Sequence, residues 1–297
     1  NGDPGGPMVN VGNGRWVRTW QPQRPSAPDL PAAAVVTAFV VSANGALLAG
    51  QIDIPVTFGP PSRVPIVISG GVLNAASYQG TVVAPGSLIT IYGANLAQGG
   101  PAQSAPSPLP LQLGQTNVLL AGRQLPLLYT SDGQVNAQVP YDLPLNVPTQ
   151  LVVQTGGTQS VPEPLAVAPA QPAIFTVDQS GGGQGVIVNF ATNVIADQRA
   201  PVEAGDTLVI YCTGLGAVSS VLAPGMPATG PTSTLAPVSL TIGGQPASQV
   251  IYAGLTPSFP GLYQVNAVVP AGATGDSVPV VLSVAGQTSP PVTIAVK

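Results

Sequence analysis

The acidic side chains are the residues of this sequence that could carry acid–base chemistry, because the chain has eleven of them and no histidine. Two carboxylates placed on either side of a glycosidic bond are enough for glycoside hydrolysis. The acids form no such motif and no Asp-x-Asp-x-Asp calcium loop. They are scattered at Asp3, Asp29, Asp53, Asp132, Asp142, Glu163, Asp178, Asp197, Glu203, Asp206 and Asp276. We therefore expect no enzyme activity, no metal site and no cofactor.

The other reactive side chains are too few for catalysis. The lack of histidine excludes Ser-His-Asp and Cys-His arrangements and the commonest zinc, copper and iron sites. The single lysine, Lys297, is the last residue of the sequence, which leaves none for Schiff-base chemistry or an internal Lys-Asn crosslink. Cys212 is the one cysteine, so it is either a buried small hydrophobe or the partner of a cysteine in another chain.

The charge balance and the apolar runs restrict the partners. Seven basic and eleven acidic residues among 297 give a net charge of −4, which cannot supply the basic stripe that nucleic acid requires. The longest apolar run, residues 32–41, is too short to span a membrane. Because the sequence starts at Asn1 and is poor in charge, we expect an extracellular or cell-surface protein, secreted with its signal peptide removed.

Two copies of one sequence unit follow each other in the chain. The segment APGSLITIYGANL at 84–96 aligns with EAGDTLVIYCTGL at 203–215, and GQVNAQVP at 133–140 aligns with YQVNAVVP at 263–270. The blocks keep the same order, and the unit of about 100 to 120 residues is longer than a solenoid repeat. Two duplicated domains explain this pattern.

Each unit reads as a series of short strands. Runs rich in Val, Ile, Leu, Thr and Tyr are bounded by Gly, Pro or Asn, while the 35 prolines would interrupt almost any helix. The pattern predicts strands at residues 88–92, 118–121, 127–129, 150–154, 207–211, 238–242, 249–252 and 278–284. About seven strands per unit predict an all-β fold of tandem immunoglobulin-like β-sandwich domains.

The first quarter of the chain does not match the repeat. We assign residues 67–169 and 170–297 to the two sandwiches, residues 1–31 to an extended N-terminal arm and residues 32–66 to a partial β module. The module region offers three strand-like runs, at 34–42, 47–55 and 64–69. Three strands are too few for a sandwich, so we expect its edge to be filled by the arm, the next domain or another molecule.

Four residues recur at matching places in the two copies, namely Tyr92, Tyr211, Asn136 and Asn266. The tyrosines could stack on a ligand, and the asparagines could line a site. A structural role is the simpler interpretation, because an asparagine at a strand margin bonds neighbouring backbone groups. We therefore expect these four residues to support the fold.

Subunit contacts are expected at two other places. The arm holds both tryptophans, Trp16 and Trp20, and aromatic residues often anchor interfaces. In the module, Val36, Phe39 and Val41 are the candidate contacts. The second copy also has seven more residues than the first between its Tyr252 and Gln264, and this longer loop contains Phe259.

Several blocks in residues 67–297 resemble the uncharacterised C-terminal domain family of Solibacter-type acidobacterial secreted proteins. They are SGGVLNAASY at 69–78, APGS at 84–87, GQVNAQVP at 133–140, AIFT at 173–176, YAG at 252–254 and GLYQVN at 261–266. The resemblance implies secretion and a position at the C-terminus of larger extracellular proteins, and it implies no catalytic residue. The turn before the strand at 88–92 is also similar to the IPT/TIG branch of immunoglobulin-like folds.

Two functions compete at this level. The first is a structural subunit of a surface filament, a head-to-tail homopolymer in which the N-terminal strand is donated to the neighbouring subunit. The second is an adhesion or carbohydrate-binding module that attaches to polysaccharide or another surface. Tandem sandwiches serve both purposes, because a fold does not fix a function.

Overall fold

The computed structural model describes residues 9–12, 15–17, 32–41, 47–56, 64–80, 82–105, 107–220 and 222–297. All the regular secondary structure in these ranges is β-strand, which confirms the predicted all-β class. The chain divides into two units, one containing residues 32–56 and the other containing 64–297 with a short N-terminal strand pair.

Four strands lie before the sandwiches: β1 (Val9–Gly12), β2 (Arg15–Val17), β3 (Ala32–Val41) and β4 (Leu47–Val56). β1 pairs with β2, and β3 pairs antiparallel with β4 over ten residue pairs, from Ala32 with Val56 to Val41 with Leu47. Within the described residues, β3 and β4 pair with no third strand.

The candidate contact residues of this region fall in different places. Trp16 lies in β2 opposite Asn10. Val36, Phe39 and Val41 all lie in β3. Trp20 lies outside the described residues, so its predicted role stays a prediction.

The first sandwich is built from two facing sheets. Its strands are β5 (Ile66–Asn74), β6 (Val82–Val83), β7 (Leu88–Ala94), β8 (Ala102–Gln103), β9 (Thr116–Leu120), β10 (Arg123–Gln124), β11 (Leu127–Thr130), β12 (Gln134–Gln138), β13 (Pro148–Thr155), β14 (Thr158–Gln159) and β15 (Glu163–Val167). One sheet has the order β5-β7-β12-β11-β8, and the other has the order β10-β9-β13-β15-β6 with β14 beside β13. The strand-like run at 64–69 lies largely in β5, which pairs with β7 and so belongs to the first sandwich.

The second sandwich repeats this plan. Its strands are β16 (Ala173–Ile174), β17 (Ile187–Asn189), β18 (Thr207–Thr213), β19 (Val238–Ile242), β20 (Gln245–Pro246), β21 (Gln249–Leu255), β22 (Tyr263–Val268), β23 (Gly275–Val284), β24 (Gln287–Thr288) and β25 (Val292–Val296). One sheet runs β16-β18-β22-β21 with β17 beside β18, and the other runs β20-β19-β23-β24 with β25 beside β23. The predicted immunoglobulin-like β-sandwich architecture is confirmed.

Alternation of apolar and polar residues builds both cores. In β22, Tyr263, Val265 and Ala267 are buried, while the residues between them are partly exposed, because successive side chains of a strand point to opposite faces. β12 follows the same pattern with Val135 and Ala137. Cys212 is fully buried in the second core, and this burial raises the pKa of its thiol.

A buried tyrosine hydroxyl connects the two sandwiches. Tyr263 is fully buried, and its Oη donates a hydrogen bond of 2.6 Å to the carbonyl of Gly216 and lies 3.3 Å from the carbonyl of Pro85. Gly86, with φ at +74°, leaves room for this approach, because a Cβ there would overlap Tyr141 and Tyr263. Pro85 belongs to the first sandwich and Gly216 to the second, so one side chain joins loops of both.

Further hydrogen bonds surround this junction. The Oγ1 of Thr213 accepts from the backbone N–H of Leu88 at 2.9 Å and donates to the carbonyl of Gly261 at 3.2 Å. The N–H of Gly225 donates to Oε1 of Gln138 at 2.8 Å. Because these polar groups are removed from water, losing one partner leaves the other unsatisfied and costs stability.

Replacing Tyr263 by Phe should therefore lower the free energy of unfolding by about 1 to 3 kcal/mol, because the buried carbonyl of Gly216 loses its donor and the contact with the carbonyl of Pro85 is lost. Chemical denaturation of the full chain measures the change. The matched control is Tyr211→Phe, since the Tyr211 hydroxyl has no hydrogen-bond partner among the described residues, and it should stay within about 0.5 kcal/mol of the unchanged chain. Equal effects of the two substitutions would contradict the assigned role of Tyr263.

Alkaline pH should destabilise the same junction. Burial raises the pKa of Tyr141 to about 12 and that of Tyr263 well above its ordinary value. The unfolded chain loses these protons at about pH 10 and the proton of the Cys212 thiol at about pH 8.5, while the folded chain keeps all three. The free energy of unfolding should therefore be nearly constant below about pH 8 and begin to fall above it through Cys212. Above about pH 10 it should fall by about 1.4 kcal/mol per pH unit for each of the two tyrosines, in addition to the same slope from Cys212.

Denaturation curves between pH 8 and about pH 12 test this dependence. Tyr141→Phe removes one of the two buried hydroxyls, so above about pH 10 the free energy of unfolding should fall less steeply, by about 1.4 kcal/mol per pH unit. A free energy of unfolding that stays constant through this range would show that neither hydroxyl is held in its neutral form.

Candidate ligand-binding face

The outward side of the β5-β7-β12-β11-β8 sheet carries aromatic and amide side chains. Its members are half-buried or exposed and uncharged, and we call them the tyrosine–amide face: Tyr92, Gln103, Tyr129, Gln134 and Asn136. They point outward because the residues that alternate with them along β12, Val135 and Ala137, fill the core.

Strand register brings the members of this face together. Gln134 lies opposite Tyr92, and Asn136 lies opposite Tyr129, which in turn lies opposite Gln103. Directly opposed side chains in an antiparallel sheet have Cβ atoms about 4.5 to 5.5 Å apart. The face therefore crosses four neighbouring strands, β7, β12, β11 and β8.

The amides of this face are held in a defined orientation. The Nε2 of Gln134 donates a 2.8 Å hydrogen bond to Oδ1 of Asn136. Among the described residues, Oε1 of Gln134 and Nδ2 of Asn136 have no other partner. One acceptor and one donor are thus available to a ligand side by side.

The hydroxyl of Tyr92 is neutral at physiological pH. Partial burial raises the pKa of Tyr92, and the nearby Tyr78 raises it further. A third tyrosine therefore lies beside the face, close enough to interact electrostatically with Tyr92. The arrangement can offer ring faces, hydroxyls and amides, and none of its members carries charge.

The second sandwich has a reduced version of this face. Gln264 donates to Asn266 at 3.2 Å, and Tyr211 lies opposite Gln264, as in the first copy. The hydroxyl of Tyr252, however, donates to the carbonyl of Leu255 at 2.9 Å and accepts from the N–H of Thr232 at 3.2 Å. This hydroxyl is used inside the domain, so the second copy offers fewer free polar groups.

The four repeated residues thus lie on the outward sheet faces, and all are half-buried. Asn136 and Asn266 were expected to bond neighbouring backbone groups. Each instead accepts from the glutamine side chain two residues earlier. The structure pairs these asparagines with a side chain because residues two apart on a strand share one face.

The longer loop of the second copy has two parts. Its Gly261 packs against Leu88 and accepts from Thr213, so this end of the loop belongs to the junction. Phe259 is 52 % exposed and stays a candidate contact residue. Sequence reasoning did not single out Gln103, which has no counterpart in the repeat; only its register with Tyr129 reveals it.

The described ranges show neither a metal-binding cluster nor a membrane-spanning helix. No group of three or more His, Cys, Asp or Glu side chains lies close enough there to hold a metal ion. The same residues contain no helix with the length and apolar character needed to span a membrane.

Comparisons with known proteins give structural matches at low similarity. No protein-family model and no curated protein matches the chain. The SGBP-B of the Bacteroides ovatus mixed-linkage glucan utilization locus, solved with a mixed-linkage heptasaccharide, matches at 15 % identity over 96 % of this chain and 60 % of that chain, with a TM-score of 0.35. The surface glycan-binding protein PbSGBP-B from Prevotella bryantii matches at 12 % identity over 78 % and 42 %, with a TM-score of 0.26.

The I9-I11 tandem of titin matches at 9 % identity over 96 % of this chain and 86 % of that chain, with a TM-score of 0.21. The chain spans 42 % to 60 % of the length of the surface glycan-binding proteins that it matches. Identities and TM-scores of this size do not identify a ligand for the chain.

Proposed function

We propose that the protein is a non-enzymatic extracellular or cell-surface module that binds neutral polysaccharide through the tyrosine–amide face of its first sandwich. The observation that carries the proposal is the register that places Tyr92, Gln134, Asn136, Tyr129 and Gln103 side by side on one uncharged sheet face. The extracellular setting is also what the resemblance to the Solibacter-type secreted domains implies.

The chemistry of this face fits a sugar chain. A sugar ring has an apolar C–H side that can lie on a tyrosine ring, and a rim of hydroxyls that both donate and accept hydrogen bonds. Tyrosine combines an apolar body with a polar tip, and a primary amide supplies a donor and an acceptor together. Gln134 presents a free acceptor and Asn136 a free donor next to the ring of Tyr92.

The shape and charge of the face narrow the ligand class. A face that crosses four strands is about 14 Å wide, so it fits an extended chain better than a single small molecule. Its members carry no charge, and the net charge of −4 disfavours polyanions. Neutral polysaccharides are therefore the expected ligands.

Replacing both Tyr92 and Tyr129 by Ala should reduce affinity for a bound polysaccharide at least tenfold, because the two rings supply the stacking surface. Affinity electrophoresis of the full chain in gels containing starch, galactomannan, arabinoxylan or mixed-linkage β-glucan measures this as lost retardation. Tyr211→Ala, at the matching position of the second sandwich, is the control and should migrate like the unchanged chain. Retardation that survives the double substitution, or that Tyr211→Ala removes equally, would place the site elsewhere.

A second candidate function is the subunit of a surface filament. The observation in its favour is a sheet with open edges. β3 pairs with β4 over ten residue pairs, and among the described residues neither strand has a second partner. A two-stranded sheet is marginally stable alone, and its edges can accept a further strand. A neighbouring copy could donate this further strand. Repeated head-to-tail from copy to copy, such donation would build a filament.

Deletion of residues 1–31 tests this candidate, because it removes the proposed donor arm with Trp16 and Trp20. Negative-stain electron microscopy should show filaments for the full chain and isolated particles for the shortened chain. The double alanine variant of Tyr92 and Tyr129 is the control and should still form filaments. Filaments of the shortened chain would rule out donation by the arm.

A further inference from the structure

A polar cleft lies on the other sheet of the first sandwich, at the turn between β13 and β14. It has a volume of about 570 Å³, and the side chains that matter for its chemistry are Gln112, Gln115, Asn117, Gln154 and Gln159. We call it the amide cleft. Its volume falls within the range of about 300 to 1,000 Å³ that is usual for sites of small ligands.

The second sandwich has the same turn without these amides. The N–H of Val153 donates to Oγ of Ser160 at 3.0 Å, and the N–H of Leu282 donates to Oγ of Ser289 at the same distance, which aligns the two turns. Asn117 and Gln154 form a cross-strand pair in the first sandwich, and the pair at this place in the second is Ser239 and Ser283. The amides are therefore not needed to form the turn.

Strand register places three amides of the cleft in one row. Asn117 lies opposite Gln154, and Gln154 lies opposite Gln159. This row is on the outward side of the sheet, because the neighbours of Gln154 along β13, Val153 and Thr155, are buried on the other side. Three primary amides on adjacent strands are therefore open to one ligand.

We propose that the amide cleft is a second binding site, which takes a neutral, hydroxyl-rich ligand: one sugar residue, free or at the end of a glycan chain. Each primary amide of the cleft can donate to one ligand hydroxyl and accept from another. Nε2 of Gln154 makes only a long bond of 3.3 Å to Oε1 of Gln159, which a ligand hydroxyl can replace. The side chains named for the cleft include no aromatic ring, so recognition rests on hydrogen bonds.

This site is independent of the tyrosine–amide face. The cleft is formed by β9, β13, β14 and the segment before β9, whereas the face belongs to the sheet of β7, β12, β11 and β8. Substitutions in one should leave the other intact.

The experiment is a nuclear magnetic resonance titration of the ¹⁵N-labelled full chain with D-glucose, D-galactose, D-mannose and D-xylose, and with cellotriose and maltotriose. The expected result is a saturable shift of the side-chain amide signals of Asn117 and Gln154 with at least one of these sugars. A response to a monosaccharide identifies a free sugar as sufficient, and a response to a trisaccharide alone identifies a chain end. No saturable shift with any of them would overturn the proposal.

Two variants make the test specific. Gln154→Ser introduces the residue that the second sandwich has at the aligned position, so it should keep the fold, and it should weaken the response of Asn117 at least tenfold. Ser283→Ala, at the position aligned with Gln154, is the control and should leave the titration unchanged. A full response of Asn117 in Gln154→Ser would overturn the role of the Gln154 amide. The double alanine variant of Tyr92 and Tyr129 should keep the response, which separates this site from the proposed polysaccharide face.

Discussion

The buried hydroxyl of Tyr263 is the interaction on which the arrangement of the two sandwiches depends. It reaches the carbonyls of Gly216 and Pro85, one in each sandwich, from a ring that has no exposed surface. The repeat places Gly133 of the first copy at the position of Tyr263. Because this tyrosine exists in one copy alone, the duplication produces an asymmetric junction and not two interchangeable domains.

The two copies have diverged around a shared framework. The second supplies the junction through Tyr263, Thr213 and the longer loop that ends at Gly261. The first supplies the polar surfaces, with the tyrosine–amide face on one sheet and the amide cleft on the other. At the positions of Asn117 and Gln154 the second has serines, and the hydroxyl of its Tyr252 is bonded within its own domain. The proposed ligand contacts lie in the first copy, whereas most of the junction contacts come from the second.

Local patterns in the sequence predicted the fold well, because they report which residues face a core. The predicted strand at 238–242 coincides with β19, and the runs at 88–92 and 207–211 lie within β7 and β18. The candidate sites were harder to predict, since they depend on which strands become neighbours. Gln103 meets Tyr129 only through register, and Asn117, Gln154 and Gln159 come together in the same way. The repeat showed that Tyr263 stands where the first copy has Gly133. That Tyr263 joins the two sandwiches became clear only from the structure, where its hydroxyl lies next to the carbonyl of Pro85.

The most direct test of the proposed polysaccharide site is hydroxyl-radical footprinting of the full chain, with tyrosine oxidation followed by mass spectrometry in the absence and presence of a neutral polysaccharide. The probes are soluble starch, galactomannan, arabinoxylan and mixed-linkage β-glucan. A bound chain on the tyrosine–amide face should protect Tyr92 and Tyr129 and leave the oxidation of Tyr211 unchanged. Unchanged oxidation of Tyr92 and Tyr129 with all four probes, or protection confined to the second sandwich, would contradict the proposed site.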